Sequence, residues 1–404
     1  MNEMALLLGL LVVSYFGRLV LAPEVRGRFG LPAGSHWLVI GFVLGPHALA
    51  VVSRDALSGF APLALVATAW IALVLGVEYG HAGNRRLSVR GIALGGAVAL
   101  ISAAALGGAV YATARWLVGM SVENAQIVAE GIGLAGSETA RHAVEWVVER
   151  GAARGRLLEL LEEIADSDEI VPMLGLAFLF AGVPAAQTLL PISYAGWLAV
   201  TLLLGLVLGS TATLLLSGLQ AEVELWSVLL GAALLGTGIA WRLSLSPLTA
   251  LFVMGLCISL FSRRAAALRP LLARTEPAVL LPTLLTAGAL LRFDASPALW
   301  WTLGSTLAAR TSVRALLGYV LARAAGAAPA QRWPVGMGLS ATGSVSLLVG
   351  LTFAFRFPGP LGNLVLTAAA CSSVLGDVLG PAGLRAALVP SEAAQEPAAA
   401  PAAS

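Results

Sequence analysis

Long apolar runs cover almost the whole chain, broken at intervals of about 25–30 residues by short polar or glycine-proline stretches. A bilayer-spanning helix needs about 20 mostly apolar residues. On that template thirteen spans are predicted, at roughly 4–21, 32–51, 57–79, 89–118, 122–148, 156–181, 194–218, 222–241, 245–262, 276–292, 297–325, 332–356 and 361–388. The remaining tail, "SEAAQEPAAAPAAS", is rich in Ala and Pro and reads as disordered (389–404). Residues 1–388 therefore read as one membrane domain with all-α polytopic architecture.

Two pairs of segments repeat. "GLPAGSHWLVIGFVLGP" in span two resembles "SLSPLTALFVMGLCIS" in span nine: each opens near a Pro and runs through aliphatic residues to a Gly. "LVLGVEYG" ends span three as "LTAGALLRF" ends span ten. The offset of seven spans is odd, so equivalent helices would run in opposite directions. This describes two inverted six-helix repeats, about 4–181 and 222–388, joined by a connector helix at 194–218. Inverted repeats in a transporter place the substrate site near the midplane. Chance recurrence of Gly and Pro in apolar runs is the competing reading.

Spans five and twelve have weak centres. Span five contains "GIGLAGSETARH" and span twelve "VGMGLSATGSVS". Glycine costs about 1 kcal/mol relative to Ala in a helix, and unwound backbone survives in a bilayer only where it is buried in protein or lines a cavity. Close packing through small residues is the alternative. Glu138 favours the broken-helix reading, since packing alone has no use for a carboxylate there.

Composition sharpens the class. The chain is 58% hydrophobic and 11% charged, against about 25% charged in soluble domains. All 24 basic residues are Arg. They concentrate in alternate loops: Arg26 and Arg28; Arg85, Arg86 and Arg90; Arg150, Arg154 and Arg156; Arg263, Arg264, Arg269 and Arg274; Arg323 and Arg332; Arg385. The intervening loops carry single arginines, Arg54, Arg115, Arg242, Arg292 and Arg356. The positive-inside rule then puts the N-terminus outside and the C-terminus in the cytoplasm, as expected for a multi-pass protein of a bacterial inner (plasma) membrane. The start of the chain lacks a basic region and a small-residue cleavage site, so it reads as a first span. Cys257 and Cys371 read as small buried hydrophobes, and His36, His47, His81 and His142 have no metal-ligand spacing. No nucleophile–base pair, metal cluster or phosphate loop is visible, which argues against an enzyme and against any cofactor; the net charge of +2 does not suggest nucleic acid.

The exceptional segment is 162–174, "EEIADSDEIVPML", with five acids in its first eight positions. On a helix advancing 100° per residue, Glu159, Glu162, Glu163, Asp166 and Glu169 fall within an arc of about 120°, with Asp168 opposite. The early members read as a solvated or Arg-paired helix start. A deeper acid costs about 2.5–3.5 kcal/mol on insertion scales and is a functional candidate. Arg310 and Arg314 lie one turn apart at mid-span; at least one is predicted to pair with a carboxylate of span five or six, with snorkelling toward the interface as the alternative. Asp377 lies on the repeat equivalent of span six.

Several stretches together resemble the monovalent cation:proton antiporter superfamily, closest to its antiporter-2 (potassium-efflux, sodium–proton exchanger) branch. They are "FGLPAGSHWLVIGFVLGPHAL", "IALVLGVEYGHAGNRRLSVRG", "LSPLTALFVMGLCIS", "LLPTLLTAGALLRFD" and "GLSATGSVSLLVG", and with their spacing the resemblance covers about residues 5–388. It implies a thirteen-span inverted-repeat fold with crossed broken helices, a homodimer, and exchange of Na⁺ or K⁺ for H⁺ by alternating access. It also implies an ion site on span six beside the broken helices. Counting from Gly155 places the family's Asp at Asp166, counting back from Pro172 reaches Ser167, and aligning Glu163 with an upstream Glu gives Asp168. Asp168 is the first choice and Asp166 the second for binding the alkali cation or proton, with Ser167 and Glu138 beside them. Glu163, Glu169, Arg310, Arg314, Ser137, Thr139, Ser340 and Thr342 are supporting candidates. Glu138, Arg141 and the sequence "SATGSVS" depart from the family pattern. A channel-like or sensing subunit gated by a separate regulatory chain is the alternative reading.

Overall fold

The computed structural model describes residues 34–79, 88–139, 141, 143–145, 156–182, 192–218 and 221–388, with Gly9 and Val12. The predicted first span, the tail, Arg26, Arg28, Arg85, Arg86, Arg150, Arg154, His81 and His142 lie outside the described residues. The regular elements are helices: α1 Ser35–Leu44, α2 Arg54–Glu78, α3 Val89–Ala112 (closed by a π-turn, Thr113–Leu117), α4 Val122–Ala135, α5 Arg156–Ala165, α6 Ile170–Gly182, α7 Tyr194–Gly218, α8 Glu222–Arg242, α9 Pro247–Phe261, α10 Ala265–Ala273, α11 Glu276–Leu290, α12 Pro297–Ala324, α13 Pro329–Gly338, α14 Ser344–Arg356 and α15 Pro360–Leu388.

Local chemistry sets many of the starts. Ser53, Ser88, Ser121, Ser246 and Ser296 each cap the following helix with the hydroxyl, accepting from an N–H in the first turn. Proline opens α9, α12 and α13, where its missing N–H costs nothing. Five helices, at 54–78, 89–117, 194–218, 222–242 and 360–388, are long and apolar enough to cross a membrane.

Two corrections to the sequence reading follow. Span six, expected as one continuous helix, is interrupted: α5 ends at Ala165, residues 166–169 form turns, and α6 begins at Ile170. Ile170 and Val171 donate to carbonyls only three residues back, those of Ser167 and Asp168. The arginine-rich stretch after span nine, expected as a loop, contains the short helix α10. Spans five and twelve do break, at 136–139 and 339–343.

The helices form two packed groups. One comprises α1, α2 and α7–α11; the other comprises α3–α6 and α12–α15. The pairings obey the proposed exchange of repeats. Helix α1 packs on α11 as α9 packs on α2, and α4 on α15 as α14 on α6. Two close crossings depend on glycine. A Cβ on Gly41 or Gly288 would collide with the α11 or α1 backbone, at Leu285 or Leu38. Gly76 and Gly255 meet in the same way between α2 and α9. Without a hydrophobic force between helices in lipid, such close backbone approach is a main source of packing energy. Loop sidedness agrees with the arginine alternation: Pro46, Arg54, Arg292 and Pro358 line one cleft, whereas Arg90 meets Glu163 and Gln331 meets the Ala387 carbonyl.

Candidate functional site

The interruptions in spans five, six and twelve come together against α12. After α4 the chain is extended at Glu138 and Thr139, and it is extended again at Ala341–Gly343 before α14. Glycine and hydroxyl residues at both places weaken the helix, as their sequence suggested. Both extended stretches expose backbone carbonyls inside the protein, and those groups need donors.

Arg310 and Arg314 supply the donors. Both are buried, Arg314 completely. Arg310 donates to the Gly136 carbonyl (2.5 Å) and the Thr342 hydroxyl (2.8 Å), with longer contacts to the Glu138 and Ser340 carbonyls (3.4 and 3.5 Å). Arg314 donates to the Ser137 carbonyl, the Glu138 carbonyl (3.0 Å) and the Thr139 hydroxyl (2.8 Å). Two guanidiniums spaced by one helical turn thus clamp one unwound strand and reach across to the other. The planar fork of arginine suits this work. It also means that the carbonyls of residues 136–138 are taken up by protein.

The carboxylates lie around this clamp. Asp168 is fully buried in the turn of span six, with Oδ2 4.0 Å from Arg314 Nη1. It lies beside Thr139, and neither of its oxygens has a hydrogen-bond partner of good geometry among the described residues. Glu138 is also fully buried. Its Oε1 accepts from the N–H of Ser346 at 2.6 Å, so it caps the start of α14, where the helix dipole favours negative charge. Its Oε2 has no partner among the described residues. Glu169 is buried and interacts electrostatically with both Glu138 and Asp168. Among the described residues, Glu138 and Asp168 therefore lie beside the two guanidiniums, with Glu169 next to both carboxylates.

The other candidates are placed elsewhere. Asp166 is half-buried and pairs with Arg141 at 2.8 Å; Glu163 pairs with Arg90 at 3.6 Å near the surface. Ser167 packs on α3, where Gly91 and Gly95 make room for it. The hydroxyl of Ser137 donates to the Leu134 carbonyl and that of Ser340 faces Gly336. Asp377 accepts from the N–H of Ser35 at 3.3 Å, at the start of α1. The helical-wheel stripe holds for Glu159, Glu162, Glu163 and Asp166, which face outward or lie part-buried; Glu169 leaves it because the turn at 166–169 ends the helix. Ser346 was missed by sequence reasoning. Its position at the first turn after a Gly-rich break was the available signal.

No family model matches the chain. Its fold is similar to that of the sodium proton antiporter MjNhaP1 from Methanocaldococcus jannaschii, in a structure at pH 8, with a TM-score of 0.67 and 13% identity over 96% of this chain and 99% of the other. A structure of the same antiporter from a three-dimensional electron microscopy map gives 0.63 and 15% identity over 96% and 98%. At these identities the likeness establishes the fold: the chain has the fold of a sodium proton antiporter, nearly end to end.

Proposed function

We propose that the chain is a secondary antiporter that exchanges a monovalent cation, Na⁺ first, for H⁺ by alternating access, with Asp168 as the shared binding group. The observation that carries this reading is the Asp168 carboxylate: buried in the interruption of span six, beside the crossed unwound strands, with Thr139 as its polar neighbour and no hydrogen bond of good geometry to either oxygen among the described residues. A hard alkali cation wants oxygen ligands, and the unwound carbonyls are occupied by arginine. The remaining oxygens are those of Asp168 and Oε2 of Glu138.

Electrostatics makes the exchange obligatory. A buried net charge is expensive. A proton or a monovalent cation on Asp168 neutralises the same buried carboxylate, so the two compete for it. Both together would overcharge it. Arg314, 4.0 Å away, neutralises Asp168 only in part, so it leaves the carboxylate able to take either ion. Sodium stands first because the similar solved structures are sodium proton antiporters.

The test is flux in proteoliposomes carrying an imposed pH gradient. Addition of Na⁺ is expected to dissipate the gradient, with Li⁺ and K⁺ run in parallel to define selectivity. Asp168→Asn should abolish the response, and Asp166→Asn should retain it. Failure of every cation to move protons would sink the antiporter reading. Normal exchange in Asp168→Asn would sink the site assignment alone.

A further inference from the structure

A second polar site lies at the end of the molecule that holds the arginine-poor loops. A cleft of about 270 Å³ is walled by the α1–α2 loop, the start of α2, the end of α11 and the end of α14. Most of its wall is apolar, including Leu57, Leu290 and Phe355, but His47, Arg54 and Arg292 also face it. This is an unusual grouping in a chain with so few charges. Neither guanidinium has a carboxylate within 4.0 Å among the described residues. Asp294, two residues beyond Arg292, is engaged by the N–H and hydroxyl of Ser296, at 3.1 and 2.5 Å.

The cations are held in place. Asn363 clamps the backbone of Arg292 from both sides, accepting from its N–H at 3.2 Å and donating to its carbonyl at 2.9 Å. Arg54 is the first residue of α2, whose start is capped by Ser53. Asp55, also in the first turn, offsets the positive end of that helix, so the positive charge of the cleft rests on the two guanidiniums. His47 is held below its ordinary pKa by desolvation, then by Arg54 and Arg292, so both positive charges bear on the same small volume.

Two exposed guanidiniums and an imidazole lining one cleft, with no carboxylate within 4.0 Å among the described residues, are complementary to an anion, and forked guanidiniums suit phosphate oxygens in particular. We propose that this cleft binds a phosphate group, presented either by the headgroup of an acidic phospholipid, with its glycerol and upper chain on the apolar wall, or as free inorganic phosphate. This site is separate from the ion site and does not depend on the antiport reading.

The experiment uses the full purified chain in phosphate-free detergent, titrated with dihexanoyl phosphatidylglycerol, with inorganic phosphate, and with dihexanoylglycerol, which has chains and no phosphate. Saturable binding of a phosphate probe is expected, weakened at least about tenfold in the double variant R54Q/R292Q. Binding of the lipid alone identifies a headgroup site; equal binding of inorganic phosphate identifies a phosphate site. Ser58→Trp, which fills the cleft and leaves both arginines in place, should weaken binding similarly and decides the matter if the double variant does not fold. The proposal is overturned if neither phosphate probe saturates, if dihexanoylglycerol binds as well, or if a folded variant binds as the parent does.

Discussion

Removing the charge of Arg314 provides the sharpest test of how the ion site is held together. In Arg314→Gln the side chain loses its contacts to the Ser137 and Glu138 carbonyls, the Thr139 hydroxyl and the Asp168 carboxylate. At 4.0 Å and an effective dielectric of about 20, the lost attraction to Asp168 alone is about 4 kcal/mol. That agrees with the roughly 3–5 kcal/mol measured on breaking buried pairs. The variant also leaves Glu138 and Asp168 with only Arg310 beside them. Asp168→Asn has the opposite character, since it relieves the repulsion of Asp168 by the buried Glu138 and Glu169. Its expected cost is about 1 kcal/mol or less, although transport is lost. The double variant restores the parent's charge balance and should recover at least about half of the Arg314→Gln loss. Thermal unfolding of all four proteins in one detergent, read as a double-mutant cycle, measures the coupling. A coupling below about 0.5 kcal/mol, the additivity expected of independent sites, would refute the view that Arg314 and Asp168 act as a pair. So would an Asp168→Asn protein less stable than Arg314→Gln.

Two further outcomes follow from the packing. Glu138→Gln keeps an oxygen to accept from the Ser346 N–H but removes one charge, so the protein should fold, while the KM for Na⁺ in the flux assay rises about tenfold or more; an unchanged KM would remove Glu138 from the cation's surroundings. Gly41→Ala and Gly288→Ala force a Cβ into the backbone of the facing helix and should each cost about 1–3 kcal/mol. Gly96 and Gly108 of α3 meet nothing within 4 Å, and Ala there should instead stabilise by up to about 1 kcal/mol; equal thermal shifts in the two pairs would contradict the crossing geometry.

Much of the architecture was legible in the residue order. Hydropathy is a local quantity that the bilayer itself enforces, so the ends of α7, α8, α12 and α15 fall within a residue or two of the predicted spans. The alternation of arginines sorted the loops to two ends, and the Gly-rich centres marked the breaks in spans five and twelve. The resemblance of five short motifs pointed to the antiporter fold. The segment "EEIADSDEIVPML" was likewise visible as the place where charge concentrates.

What the residue order left open was which acid turns inward. A helical wheel assumes a continuous helix, and that assumption fails at 166–169, where the turns bury Glu169 with Asp168 and leave Asp166 to Arg141. The clamp on the unwound strand was equally out of reach, because it joins residues more than 170 positions apart. The same holds for His47, Arg54 and Arg292, which come from separate stretches and line one cleft only when α1, α2 and α11 pack. The apolar pattern of this sequence determined where the long helices lie and where they weaken, since lipid solvates each segment by itself. Tertiary packing decided which charges share a dry interior, since pairing and desolvation depend on neighbours that only the folded chain brings together.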